Sequence, residues 1–96
     1  MERRTIEQAL ESLIDQLAAI EHERWAHWQQ YVHDHGNRRA DGSLVLPAEL
    51  VSRWDRQISL SFTALDESEK DSDREQVLRY LPIIADELAK RFAGDA

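Results

Sequence analysis

The chain has 96 residues, of which 42% are apolar and 32% charged, and its formal net charge is −7. This length and composition predict one folded domain over residues 1–96 rather than a disordered segment. The acidic excess argues against a nucleic-acid partner, and the lack of cysteine excludes disulfides and thiolate metal sites. No signal-peptide or membrane-spanning pattern is present, so we expect no membrane partner and a location in the cytoplasm.

The N-terminal third predicts one long amphipathic helix over residues 6–34. Thr5 to Gln8 fits a capping box at its start, and Gly36 is expected to end it in a left-handed conformation. Such a helix extends about 43 Å, which is more than a small domain needs to span. We therefore predict a homo-oligomer that forms through the apolar stripe of this helix, which consists of Ile6, Leu10, Leu13 and Leu17.

The rest of the chain predicts shorter helices. We expect residues 36–45 to form a loop, with 43–46 as the one candidate strand, and Pro47 to begin a second helix. The predicted buried face of this helix consists of Leu50, Val51, Trp54 and Ile58. A third helix should begin near Glu67, and Pro82 should kink it or divide it into segments 67–81 and 82–93. The predicted core of this region consists of Leu60, Phe62, Val77, Leu78, Leu81, Ile84, Leu88 and Phe92. We predict an all-α fold, a small helical bundle with a long N-terminal helix and three shorter helices.

Arg24 and Arg74 each stand in or beside an apolar stripe. A buried guanidinium must be paired, because leaving it unpaired costs several kcal/mol. The two arginines therefore either form ion pairs with nearby carboxylates or form a clamp for a phosphate or carboxylate group. The sequence leaves both interpretations open.

Three tryptophans are many for a small domain. Trp25 and Trp28 are three residues apart and are neighbours on a helix surface. Together with Trp54 they either supply core area or form a wall against which a flat ligand stacks. Arg38 and Arg39, in the loop, are surface charges or close over such a ligand.

The histidines do not form a metalloprotease motif. His22 and His27 are five residues apart, about 140° around a helix, whereas the motif needs histidines four apart on one face. The sequence also lacks a nucleophile elbow, a P-loop and a dinucleotide-binding glycine pattern. We therefore expect no enzymatic activity, no metal and no cofactor.

Two segments resemble the RyR domain, the repeat of ryanodine receptors that also occurs in small bacterial and phage proteins. The similar residues are Ile20 to Trp25, Phe62, Leu65, Glu69-Lys70, Asp73-Arg74 and Val77 to Leu81, within about residues 15–85. The receptor repeats usually carry a Gly-Trp-x-Tyr-Gly-like segment after the first helix, where this chain has Gly36 to Arg39. The resemblance therefore implies the short phage and bacterial branch, as a binding module without enzymatic activity.

The two arginines and the tryptophans predict a module whose ligand, if it has one, is small and anionic. The resemblance to the RyR domain implies a nucleotide signal that a phage protein would sequester. The predicted ligand-binding residues are His22, Arg24, Trp25, Trp54, Lys70 and Arg74. Charge-assisted hydrogen bonds and stacking would hold the ligand. The alternative function is a helical protein–protein interaction or oligomerisation module.

Overall fold

The computed structural model describes residues 2–93. Its α-helices within that range are α1 (Arg3–Glu11), α2 (Ile14–His35), α3 (Ala48–Ser59) and α4 (Glu67–Phe92). An antiparallel hairpin of β1 (Asn37–Arg38) and β2 (Leu44–Val45) joins α2 to α3, and a 3-10 turn at Phe62–Ala64 joins α3 to α4. The predicted all-α class is confirmed, and β2 lies within the predicted strand candidate.

The prediction of one long N-terminal helix is wrong, because the chain bends between α1 and α2. At the bend, the Ser12 hydroxyl donates to the Ala9 carbonyl over 2.6 Å, and the Leu13 N–H bonds to the Leu10 carbonyl, three residues back. Serine competes for backbone carbonyls in this way and tightens the helical turn. The predicted capping box at Thr5 is also wrong, since α1 begins at Arg3 and Thr5 lies inside it.

The longest helix is α4, with 26 residues, and it continues through Pro82. The predicted division at Pro82 is therefore wrong. Proline removes the donor that would bond to the carbonyl of Leu78. Both residues are exposed, so water can bind that carbonyl and the helix can continue.

Two predicted helix boundaries also differ from the structure. Gly36 has an extended backbone, with φ −89° and ψ 159°, instead of the predicted left-handed conformation. The residue with positive φ is Gly42, at 89°, in the turn of the hairpin. Pro47 precedes α3 as its N-cap, so the helix begins one residue later than predicted.

The second helix, α2, runs antiparallel to α4, and α1 also contacts α4. Ser12 donates a hydrogen bond to Glu87 over 3.4 Å, and Glu23 forms an ion pair with Arg79. Among residues 2–93, only Ala9 and Leu13 are buried, at the junction with α4. The predicted core residues Phe62, Val77, Leu78 and Leu81 are instead 45–61% exposed. The predicted buried face of α3 is also partly wrong, because Ile58 is 81% exposed and Val51 is 37% exposed.

The molecule is much more open than a compact domain of its size. Its Cα radius of gyration is 19.1 Å, whereas a compact chain of this length has about 12.5 Å. Its accessible surface is 7585 Å², against about 5,700 Å² for a folded monomer of this mass. The helices therefore leave wide apolar surfaces uncovered.

Candidate functional site

A cleft of about 680 Å³ lies between α2, α3 and α4. Three indole rings line it, from Trp25 and Trp28 on α2 and from Trp54 on α3. Trp25 is 61% exposed and Trp28 is 44% exposed, so neither belongs to a closed core. Core area alone therefore does not describe Trp25 and Trp28, and stacking of a flat ligand on the three rings stays a prediction. We call this surface the tryptophan cleft.

The structure divides the six predicted ligand-binding residues between separate places. Arg24, Trp25 and Trp54 line the tryptophan cleft. His22 stacks beside Trp25, with ring centroids 6.0 Å apart, but it does not line the cleft. The remaining two residues, Lys70 and Arg74, lie against another surface, described below.

Both predicted clamp arginines are paired within their own helices. Arg24 Nη2 lies 2.9 Å from a carboxylate oxygen of Glu21. Arg74 Nη1 lies 2.8 Å from Asp71 and 3.2 Å from Glu67. These hydrogen bonds raise the pKa of Arg74, and the bonds from Arg74 and Lys70 lower the pKa of Glu67. The ion-pair alternative therefore describes the observed geometry, and the two arginines do not converge on one ligand.

Carboxylates outnumber guanidinium groups around the tryptophan cleft. Glu21, Glu69 and Asp73 line it together with Arg24 and Arg53. The pair of Arg24 with Glu21 neutralises one charge of each sign. Arg53 is exposed and forms no ion pair with any residue that the structure describes.

Glu69 lines this cleft, but the sequence did not predict it as a ligand-binding residue. Its Oε1 accepts a hydrogen bond from Arg56 Nη2 over 2.6 Å, and its side chain is only 11% exposed. Its Oε2 is buried and has no hydrogen-bond partner. A buried carboxylate oxygen without a donor is costly, so such an atom marks a place where a donor is missing. The single sequence carries no signal for this pairing, because Arg56 and Glu69 are on different helices.

A second apolar surface lies on α4. It consists of Phe62, Val77, Leu78 and Leu81, and we call it the α4 apolar face. The Arg74 guanidinium lies 5.6 Å from the centre of the Phe62 ring, and Lys70 Nζ lies 6.0 Å from it. These two predicted ligand-binding residues therefore border the α4 apolar face instead of the tryptophan cleft.

Arg38 and Arg39 do not line the tryptophan cleft. Arg38 belongs to β1, and the Arg39 N–H bonds to the Ser43 carbonyl in the hairpin. Within residues 2–93, no three histidine, aspartate or glutamate side chains form a group that could hold a metal ion. In the same range, no helix combines the length and apolar character needed to cross a membrane.

Comparison with protein-family models, with curated proteins and with solved structures found no match. The resemblance to the RyR domain therefore stays a prediction from the residues quoted above.

Proposed function

We propose that this protein is a helical interaction module that associates with a second copy of itself through the α4 apolar face. The observation that carries the proposal is the open fold, in which only Ala9 and Leu13 are buried among the described residues. A chain of this size needs most of its large apolar side chains in a core. A second copy would supply the missing cover.

The size of the uncovered area supports a permanent homodimer. The accessible surface of 7585 Å² exceeds that of a compact monomer of this mass by about 1,900 Å². Two chains that cover this excess against each other would bury about 3,800 Å², within the range of about 2,000–5,000 Å² for obligate homodimers. Crystal-type or transient contacts bury much less.

The α4 apolar face is the best candidate for the contact. Val77, Leu78 and Leu81 are 51–61% exposed on one side of α4, and Phe62 extends this surface from the preceding turn. The same side continues at spacings of four and three residues, the repeat by which two helices pack along a shared seam. The residues of this continuation are Ala85, Leu88 and Phe92.

The first helix is a poorer candidate than the sequence predicted. Leu13, a central residue of its apolar stripe, is 4% exposed because α1 packs on α4. A residue that is already covered within the chain has little area left to bury against a partner. We therefore move the proposed contact from the N-terminal stripe to the α4 apolar face.

Sedimentation equilibrium on two matched variants tests this proposal. Leu78→Ala removes three carbons at about 0.8 kcal/mol each, and with 61% of Leu78 exposed the dimer loses about 1.5 kcal/mol per chain. The two copies together lose about 3 kcal/mol, which raises the dissociation constant about 100-fold. Ile58→Ala is the control, because Ile58 is 81% exposed on α3, and it should change the constant less than about threefold.

Circular dichroism checks that both variants keep their helices. Equal effects of the two substitutions on association would contradict a contact at the α4 apolar face. A wild-type chain that stays monomeric at every concentration would contradict self-association itself.

Binding of a small ligand in the tryptophan cleft is the second candidate function. The volume of about 680 Å³ lies within the range of about 300–1,000 Å³ for small-molecule sites. The prediction of a nucleotide-type anion has less support, because Arg24 and Arg74 are both paired and lie on different surfaces. Thermal-shift titrations with mono-, di- and cyclic nucleotides test it, and a stabilisation that Arg24→Ala abolishes would favour the anion.

We also propose that the protein acts in the cytoplasm, since a chain without cysteine has no disulfide to form.

A further inference from the structure

We infer that the second copy docks with its α4 antiparallel to that of the first, so that Leu78 of one chain packs against Leu81 of the other. This inference rests on the proposed self-association through the α4 apolar face and adds how the partner lies on that face. Three features of α4 carry it: the position of its exposed leucines, the distribution of charge along the helix and the distribution of side-chain size.

The exposed leucines lie at the middle of α4. Leu78 is 61% exposed and Leu81 is 51% exposed, and the two lie at equal distances from the midpoint of the helix Glu67–Phe92. Exposed residues continue from them in both directions at spacings of three and four, the repeat of a helix–helix contact. An antiparallel pair about this midpoint aligns the two helices over their whole length with two-fold symmetry. We call the row the exposed seam, and it consists of Asp71, Arg74, Leu78, Leu81, Ala85 and Ala89.

The distribution of charge disfavours a parallel pair. Residues 67–75 carry five carboxylates against two cationic side chains, whereas residues 80–92 carry two of each. In a parallel pair each residue faces its own copy, so Asp71 would meet Asp71 of the other chain and the two acidic segments would repel each other. Arg74 does not relieve this repulsion, because Asp71 and Glu67 already occupy it at 2.8 and 3.2 Å. An antiparallel pair places each acidic segment beside the uncharged half of the other helix.

Side-chain size also differs between the two ends of the exposed seam. The N-terminal end carries Arg74 together with the ring of Phe62, whose centre lies 5.6 Å from the guanidinium. The C-terminal end carries Ala85 and Ala89. An antiparallel pair packs the large end of one chain on the small end of the other, and such alternation of large and small residues lets two faces interdigitate. A parallel pair would oppose the two large ends and leave a gap between the alanines.

Disulfide trapping tests the arrangement, since the chain has no cysteine of its own. In the antiparallel pair residue 74 faces residue 85 of the other chain, whereas the two copies of residue 85 are about 16.5 Å apart along the helices. A disulfide needs Cα atoms within about 7 Å of each other. Arg74→Cys and Ala85→Cys chains, mixed in reduced form and then oxidised, should therefore form the mixed disulfide at least about tenfold faster than two Ala85→Cys chains link to each other.

Two controls accompany this measurement. Asp71→Cys mixed with Ala89→Cys supplies a second facing pair, which keeps Arg74 in place and should give the same preference for the mixed disulfide. Ile58→Cys lies on α3, outside the α4 apolar face, and is 81% exposed. The disulfide between two Ile58→Cys chains gives the rate of random collision. Mass spectrometry identifies each linked species, and sedimentation of the wild type measures self-association independently of any cysteine.

The outcomes separate this inference from the proposed function. Faster linkage of two Ala85→Cys chains than of the mixed pair would show a parallel pair, which overturns the inference and leaves self-association through the α4 apolar face standing. Mixed disulfides that form no faster than the Ile58→Cys disulfide, with a wild type that sediments as a dimer, would place the contact elsewhere and overturn the inference. A wild type that stays monomeric would overturn self-association and the inference together.

Discussion

Truncation of Leu13 tests which apolar residues hold the single chain together. Leu13 is 4% exposed at the bend between α1 and α2, and Leu10, three residues earlier, is 41% exposed. Leu13→Ala removes three carbons from a covered site, at about 0.8 kcal/mol each, and leaves a cavity. We expect the free energy of unfolding to fall by about 3 kcal/mol, a large part of the total for a small domain.

Leu10→Ala is the matched control for this substitution. It removes the same atoms from the same apolar stripe, but 41% of Leu10 is already in water. The remaining share gives an expected loss of about 1.4 kcal/mol, without a full cavity term. Urea unfolding, followed by circular dichroism at a fixed protein concentration, measures both values.

A loss in Leu10→Ala as large as that in Leu13→Ala would refute this reasoning. It would mean that the whole stripe is covered, as in the contact between first helices that the sequence predicted. The same data would then favour dimerisation through α1 over the α4 apolar face.

Three further predictions concern single residues. Pro82→Ala restores a backbone N–H donor inside α4 and should raise the free energy of unfolding by about 1–3 kcal/mol. Urea titrations measure this change, and a decrease would contradict a helix that continues through residue 82. Gly42→Ala should lower the free energy of unfolding by about 1 kcal/mol, because Gly42 has φ 89°. Gly42→Asn should lower it less, since asparagine tolerates positive φ better than alanine, and equal losses would contradict the turn geometry. Hydrogen bonds from Arg74 and Lys70 lower the pKa of Glu67 below its ordinary 4.5, so its small contribution to stability is present above pH 4.5 and is lost as the pH falls through the folded-state value. Urea midpoints between pH 3 and 6 should show that Glu67→Gln reduces this pH dependence, and an unchanged slope would contradict the pairing.

The sequence predicted the all-α class because helical periodicity is a local signal. The helix boundaries that the sequence predicted wrongly depend on single hydrogen bonds, which a periodic apolar pattern does not specify. At Ser12 a side-chain hydroxyl competes for a helix carbonyl, and at Pro82 an exposed helix tolerates one missing donor.

The apolar pattern identified the residues of α4 that need cover, but it did not say what covers them. Leu78 and Leu81 were predicted as core, and the single chain leaves them half exposed or more. Periodicity has the same form whether the partner helix belongs to the same chain or to another. The predicted ligand-binding residues also lie on two different surfaces. Arg74 lies beside the α4 apolar face, whereas Trp25 and Trp54 line the tryptophan cleft.

The molecular mass in solution tests the central claim most directly. Light scattering across a range of protein concentrations should give about twice the 11.2 kDa of one chain at the upper concentrations. Leu78→Ala should lower the mass towards that of one chain while Ile58→Ala does not. A mass of 11.2 kDa for the folded wild type at every concentration would contradict the account, because the single chain would then be stable with its apolar surfaces in water.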